Sequence, residues 1–200
     1  MTRPMTLLEM AGAAPQPAAL SEAAVVVIDA QKEYETGGLA LPNLDPKLDQ
    51  IAALLKRARA ASAPIFHIRH LGRPGGLFDP EGDGSQFVAA AAPQGGETIV
   101  EKNLPNAFTG TDLEERIGRF GRDKLIVAGF MTHMCVSSTV RAAFDLGYAC
   151  TVVAGATGTR PLPTTDGLNT LTAEAIHEAA LAGLADRFAT IAEDVTAIPD

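Results

Sequence analysis

The 200-residue chain contains no tryptophan, eight Phe, two Tyr and only two cysteines, Cys135 and Cys150. Two cysteines are too few for a disulfide scaffold of this size. Neither sits in a CxxC pair, which excludes zinc ribbons and thioredoxin-type redox motifs. Basic residues are also thin: 16 Lys and Arg stand against 24 Asp and Glu, for a formal net charge of -8. Nucleic acid and anionic membranes need a basic face, so neither is expected as a partner, and the acidity reads as an ordinary soluble surface. No apolar stretch reaches the length of a signal h-region or a membrane span. The opening segment, MTRPMTLLEMAGAAPQPAAL, is interrupted by Glu9 and broken by Pro15 and Pro17. Residues 1–20 are expected to form an arm packed on the body or on a neighbouring subunit, and residues 21–200 a single domain. A cytoplasmic location follows by default.

What is present is globular: 46% hydrophobic and 20% charged residues, in a chain long enough to bury a real core. Ala24 to Ile28 is an unbroken, largely β-branched run ending at Asp29, the pattern of a strand covered on both faces. Residues 45–61 carry apolar side chains at helical spacing (Leu48, Ile51, Leu54, Leu55, Ala58), with Asp45-Pro46 as cap and first turn. Strands are expected over residues 64–68, 98–100, 125–128 and 150–153, with a last one near 188–191. Helices are expected over 112–120, 135–146 (closed by Gly147 at C′) and 170–185. Residues 71–96, rich in Gly, Pro and Asp, read as a long excursion with a short helical piece around 85–91. Loops of this length in compact domains tend to be lids or binding elements. Alternating strands and helices imply an α/β fold: a doubly wound three-layer sandwich around a mostly parallel six-stranded sheet.

In such a sheet the C-terminal strand ends gather the ligand site. Asp29 closes the first strand, Lys102 follows the third, and Cys135 lies beyond Gly129 at a helix start. A thiol attacks only when ionised, and a helix N-terminus or a nearby ammonium lowers its pKa. Lys102 can supply that cation, and Asp29 can take the thiol proton and return it to a leaving amine. Backbone N–H groups of Met131 and Cys135 are candidates for an oxyanion hole. Taken singly, each residue has an equally ordinary structural reading: Cys135 as a small buried hydrophobe, Asp29 as the cap of the next turn, Lys102 as a solvated surface group.

Three motifs change that balance. Val127-Ala128-Gly129-Phe130-Met131-Thr132-His133-Met134-Cys135-Val136, with Ser138-Thr139, Arg141-Ala142-Ala143 and Gly147, resembles the signature of the isochorismatase-like cysteine hydrolases. Val27-Ile28-Asp29-Ala30-Gln31 resembles that family's first motif. Glu97 to Lys102, followed by Asn106-Ala107-Phe108 and Thr111, resembles its lysine motif. The resemblance covers about residues 22–195. It implies a sheet flanked by helices, a Cys135-Asp29-Lys102 triad, a cis peptide joining Phe130 to Met131, and a homodimer or higher homo-oligomer. Isochorismatases of siderophore pathways generally lack the cysteine; its presence here favours C–N bond hydrolysis through a thioester over vinyl-ether cleavage. Nicotinamidases of the family hold a metal with an Asp and nearby His after the first strand. Here Asp45 is followed by Pro46-Lys47-Leu48, so no metal and no cofactor are expected. Gly155-Ala156 replaces the Asp-Ala pair often found after the fifth strand.

The expected partner is a small-molecule substrate. Phe78, Phe108, Phe130 and His70 are candidate pocket residues, although aromatic side chains are more often core. His67 and His70 together make a poor metal site. His133 invites a Cys-His dyad, but a neighbour so close on a tight turn usually points elsewhere. His177 reads as structural and Cys150 as inert. Two rivals stay open: a vinyl-ether hydrolase using Asp29 as acid, and a catalytically silent binding protein on the same fold.

Overall fold

The structure is a computed structural model and describes residues 3–200. Among the described residues, eight strands and five α-helices follow one another as α1 (Leu7–Met10), β1 (Ala23–Ile28), α2 (Leu44–Ala60), β2 (Ile65–His70), β3 (Thr98–Lys102), α3 (Leu113–Gly118), β4 (Lys124–Phe130), α4 (Ser137–Asp145), β5 (Ala149–Gly158), β6 (Leu162–Pro163), β7 (Thr170–Leu171), α5 (Ala173–Ala185) and β8 (Ala189–Ala192). Six strands form one sheet in the order β3-β2-β1-β4-β5-β8. All five pairings are parallel. The chain builds outward from β1 in both directions, so the order reverses between β1 and β4, where α/β sheets open a ligand crevice.

Burial explains the uninterrupted apolar strands. In β1, Val25 and Val27 pack into one core layer with Leu48, Ile51, Leu54, Leu55 and Ala58 of α2. Ala24, Val26 and Ile28 point the other way, against Leu113 and Ile117 of α3, Val140 and Ala143 of α4, and Leu181 and Leu184 of α5. A strand buried on both faces has no polar side to show. Each fully buried Val, Leu or Ile contributes roughly 1.5–3 kcal/mol relative to exposure.

Several boundaries depart from the sequence expectation, each for a local reason. The segment expected to be helical from residue 135 begins earlier, as a π-type turn over Thr132–Val136, before α4 continues it. The Met131 carbonyl accepts from both Met134 N–H (3.0 Å) and Val136 N–H (3.2 Å), which widens the turn. Helix α5 starts at Ala173 because Thr172 Oγ1 accepts the Ala175 N–H; Thr170–Leu171 pairs instead with Leu162–Pro163 as a small antiparallel hairpin. Helix α2 starts one residue early, with Asn43 rather than Asp45 at its N-cap, in a left-handed conformation (φ 50°). The piece around 85–91 is two 3-10 turns, Asp83–Ser85 and Ala89–Ala91, because Phe87 between them bridges Gln31 in extended form. Strand β5 runs on to Gly158, well past residue 153. The arm forms the short α1, capped reciprocally by Thr6 and Glu9, and bonds to Asp186 through Leu7 N (2.8 Å) and Leu8 N (3.2 Å). No helix among the described residues is long and apolar enough to cross a membrane.

The strand that carries Lys102 is anchored at its start by Glu97. Its carboxylate accepts from Arg59 Nε of α2 (2.7 Å), His67 Nε2 of β2 (2.7 Å) and Gln94 N (2.8 Å). Burial pushes the Glu97 carboxyl up, but Arg59, the Gln94 N–H and His67 outweigh it and hold it at about 2. A folded-state value below the ordinary one near 4.5 means stability that is present above that pH and lost as pH falls toward the folded value. Glu97→Gln is therefore expected to lower unfolding stability at pH 7 by about 2 kcal/mol. In chemical denaturation as a function of pH, the gap to the wild type should close between about pH 4.5 and 2; a pH-independent gap would contradict this account.

Candidate active site

Asp29, Lys102 and Cys135 come from three distant stretches of chain and meet at the C-terminal edge of the sheet. Asp29 follows β1 with φ 50°, a left-handed conformation that few side chains other than Asn and Asp tolerate. It is held there by Asp29 N–H donating to Ile68 O (3.0 Å) and Gln31 N–H donating to Asp29 O (2.8 Å). Next to it, β4 passes β1 closely at Gly129 (φ 111°), where a Cβ would overlap the Ile28 carbonyl oxygen. Only glycine fits that contact. It lets β4 deliver the Thr132–Val136 turn beside Asp29. The peptide bond between Phe130 and Met131 is cis.

Lys102 ends β3 and reaches across β2 to the other two. Its Nζ lies 2.7 Å from Asp29 Oδ2 and donates to Cys135 Sγ at 3.3 Å. A third neighbour, His70 Nδ1, is 3.1 Å away. Asp29 is 0%, Lys102 3% and Cys135 6% exposed, so the three groups interact with little screening by water. Asp29 Oδ1 has no hydrogen-bond partner among the described residues.

Burial sets the titration of this cluster. It raises the Asp29 carboxyl, against the opposing charge and hydrogen bond of Lys102. It also pushes the Cys135 thiol up to about 12, with the Asp29 charge adding to burial and Lys102 opposing both. The sequence led us to expect a lowered thiol pKa. The correction is physical: one ammonium shared with a carboxylate does not repay the loss of water around a thiolate. Both directions favour the protonated forms of the thiol and of the carboxyl beside it.

The aromatic candidates separate. Phe78 stands edge-on to His70 (ring centroids 5.0 Å) and to Tyr34 (5.3 Å), and Tyr34 is edge-on to Phe130 (5.7 Å). These four form one wall beside the Lys102 ammonium. Phe108 does not join it. It stacks on Tyr148 (5.8 Å) and packs against the core layer that contains Cys135, on the other sheet face from Phe78 and Phe130. A cavity of about 270 Å³ lined by Leu71, Gly72, Glu101, Lys102, Asn103 and Gly110 lies at the end of β3, while the Lys102 side chain itself is fully buried. His133 faces Thr159 Oγ1 (2.6 Å) rather than the thiol. His177 is bonded to Thr132 Oγ1 (2.9 Å) and so braces the turn that carries Cys135.

Sequence reasoning passed over Tyr34, Glu33 and the role of Gln31. Gln31 donates to His70 O (2.9 Å) and Ser85 O (2.8 Å) and accepts from His70 N (2.8 Å), tying the end of β2 to the lid. Its place two residues after Asp29 in the first motif was the available signal. Tyr34 and Glu33 had none beyond proximity to that motif. Among the described residues no group of three or more His, Cys, Asp or Glu is placed to hold a metal ion.

A doubly wound parallel sheet with a buried thiol, carboxylate and ammonium at adjoining strand ends defines the class. The isochorismatase domain family model matches residues 23–194, and the chain belongs to the isochorismatase family. An isochorismatase from Pseudomonas putida KT2440 is 46% identical, covers 95% of this chain and 97% of its own, and superposes with a TM-score of 0.90. An uncharacterized isochorismatase family protein of Bacillus subtilis is 36% identical, over 84% of this chain and 94% of that protein. A secreted isochorismatase effector of Verticillium dahliae is 35% identical, over 91% and 93%. Relatives named for an activity include nicotinamidase 3 of Arabidopsis thaliana (30% identical, 86% of this chain and 84% of that protein). A ureidoacrylate amidohydrolase of Stutzerimonas stutzeri is 28% identical (72% and 74%). A streptothricin hydrolase of Streptomyces noursei is 31% identical over 70% of this chain, which spans about half its length (51%).

A thiol held near 12 makes a kinetic prediction. Iodoacetamide should alkylate Cys135 with a rate that climbs by about tenfold per pH unit through roughly pH 7 to 10, because the thiolate fraction does. Peptide-resolved mass spectrometry reads it directly, and a plateau near neutral pH would contradict the assigned direction.

Proposed function

We propose that this protein is a cysteine-dependent hydrolase that cleaves a C–N bond of a small amide-type substrate through a thioester. The observation that carries the reading is the Lys102 ammonium bridging a buried carboxylate and a buried thiol, at 2.7 Å and 3.3 Å. Thiol and base are thereby held in register for a proton transfer, and burial, which raises both groups, makes Asp29 a stronger base than a solvated carboxylate. Relatives named as a nicotinamidase and an amidohydrolase support the C–N reading.

In the first half-reaction Asp29 takes the Sγ–H proton as sulfur attacks the carbonyl carbon. The electron pair of the C=O moves to oxygen, and the N–H groups of Met131 and Cys135 hold that oxyanion. Collapse breaks the C–N bond while Asp29 returns the proton to nitrogen, releasing ammonia or a small amine. In the second half, Asp29 deprotonates water, hydroxide attacks the thioester, and the departing thiolate recovers the proton. Lys102 stabilises whichever of carboxylate and thiolate carries the negative charge. Buried Phe78, Phe130 and Tyr34 pack edge-to-face next to His70 and keep water from that side of the cluster.

A second reading draws on the same raised Asp29, which also suits a general acid. Vinyl-ether cleavage on this scaffold would use that acid and leave Cys135 dispensable. Screening small amides, ureas and lactams for ammonia or acid release, before and after alkylation, separates the two. With the substrate so identified, Cys135→Ala is expected to lose at least about 10⁴-fold in turnover while melting within a few degrees of the wild type. Asp29→Asn should lose about 10²–10⁴-fold. Undiminished turnover by the alanine variant ends the thioester mechanism.

A further inference from the structure

A lysine ammonium carries three donors, and the mechanism above uses two of them. The third points at His70 Nδ1, 3.1 Å away. Since an ammonium only donates, Nδ1 is the acceptor and the ring proton sits on Nε2. Burial, then the Lys102 charge, hold His70 down at about 4, so its lone pair is available at neutral pH. A buried charge with an unfilled donor is costly.

The ring is itself held from two sides. Gln31 clamps the His70 backbone by bonds of 2.8 Å and 2.9 Å, and Phe78 packs edge-on at 5.0 Å. Phe78 sits at φ 53°, a left-handed conformation unusual for a bulky residue. It is kept there by Phe78 N–H donating to buried Glu33 Oε2 (3.3 Å) and by Gly72 N–H donating to Phe78 O (2.9 Å). Glu33 Oε1 takes Gly38 N–H as well (2.6 Å), and a Cβ at Gly37 or Gly84 would run into the same carboxylate.

We propose that His70 is a positioning residue: its Nδ1 accepts the third Lys102 proton and fixes the ammonium between Asp29 and Cys135, while Glu33, through Phe78, holds the ring in place. The inference rests on the reading of Lys102 and Cys135 as a catalytic pair. It replaces the expectation that His70 contacts substrate, because the nitrogen facing the site is already engaged.

The test compares His70→Asn, whose Oδ1 offers an acceptor close to the position of Nδ1, with His70→Leu, which fills the space without one. The readout is the rate of Cys135 alkylation by iodoacetamide in the full chain at pH 8, where rate follows thiolate fraction. An ammonium less well held supports the thiolate less, so the leucine variant should be alkylated about tenfold more slowly, and the asparagine variant within about threefold of wild type. A purely structural His70 predicts the opposite sign, since a loosened lid exposes the thiol and speeds alkylation in both variants. If the leucine variant does not fold, His70→Ala with added imidazole supplies the same contrast, imidazole restoring the rate. A leucine variant alkylated at or above the wild-type rate, equal slowing in both variants, or no response to imidazole overturns the role of His70 alone. Turnover that survives complete Cys135 alkylation in the wild type overturns the catalytic reading, and the role of His70 in catalysis with it.

Discussion

Everything at the sheet edge depends on one buried ammonium. Lys102 Nζ is the only cation within bonding reach of Asp29 and Cys135 among the described residues. Without it a carboxylate that is fully buried would stand alone in low dielectric, at a cost of several kcal/mol. Such a charge is tolerated only when its partner is placed within a few tenths of an ångström. The rest of the fold can be understood as the means of doing so. Glu97 pins the start of β3, the β2–β3 register pairs Lys102 with His70, and Gly129 lets β4 approach β1 closely enough to bring the thiol to the same point.

The arrangement also explains why the thiol pKa is raised. Three groups share one desolvated volume, and a single positive charge supports only one negative charge well. The carboxylate, with two oxygens and the shorter contact, takes that support. The thiol is therefore pushed up, to about 12, against the pull of Lys102. This is a division of labour set by electrostatics rather than by reactivity of the cysteine alone.

The segment from residue 71 to 96 has a corresponding role on the outside of the site. It contains little regular structure, yet polar side chains of the β1–α2 connection hold it at defined points. Gln31 grips Ser85 O, Glu33 grips Phe78 N, and Lys32 pairs with Asp83 at 2.7 Å. A loop of this length would otherwise sample many conformations at low energetic cost. Tethered so, it presents Phe78 to His70 and Tyr34 as a fixed wall.

Local pattern by itself located the six strands of the central sheet and their order of appearance, because an apolar β-branched run such as Ala24 to Ile28 fits a doubly covered sheet. It also placed Asp29, Lys102 and Cys135 at or just beyond strand ends as candidates, and the resemblance of three motifs to the isochorismatase-like hydrolases grouped them into a triad. Helix starts were read a few residues wrong where a side chain settled the matter, as Thr172 did for α5. Tertiary structure alone decided what depends on distance through space. That includes the raised pKa of the thiol, the third contact of Lys102 with His70, the edge-on packing of Phe78 on Tyr34, and the grip of Glu33 on the 71–96 segment. Each is a sum of burial and partners contributed by segments far apart in the chain, and no local window of sequence contains those terms.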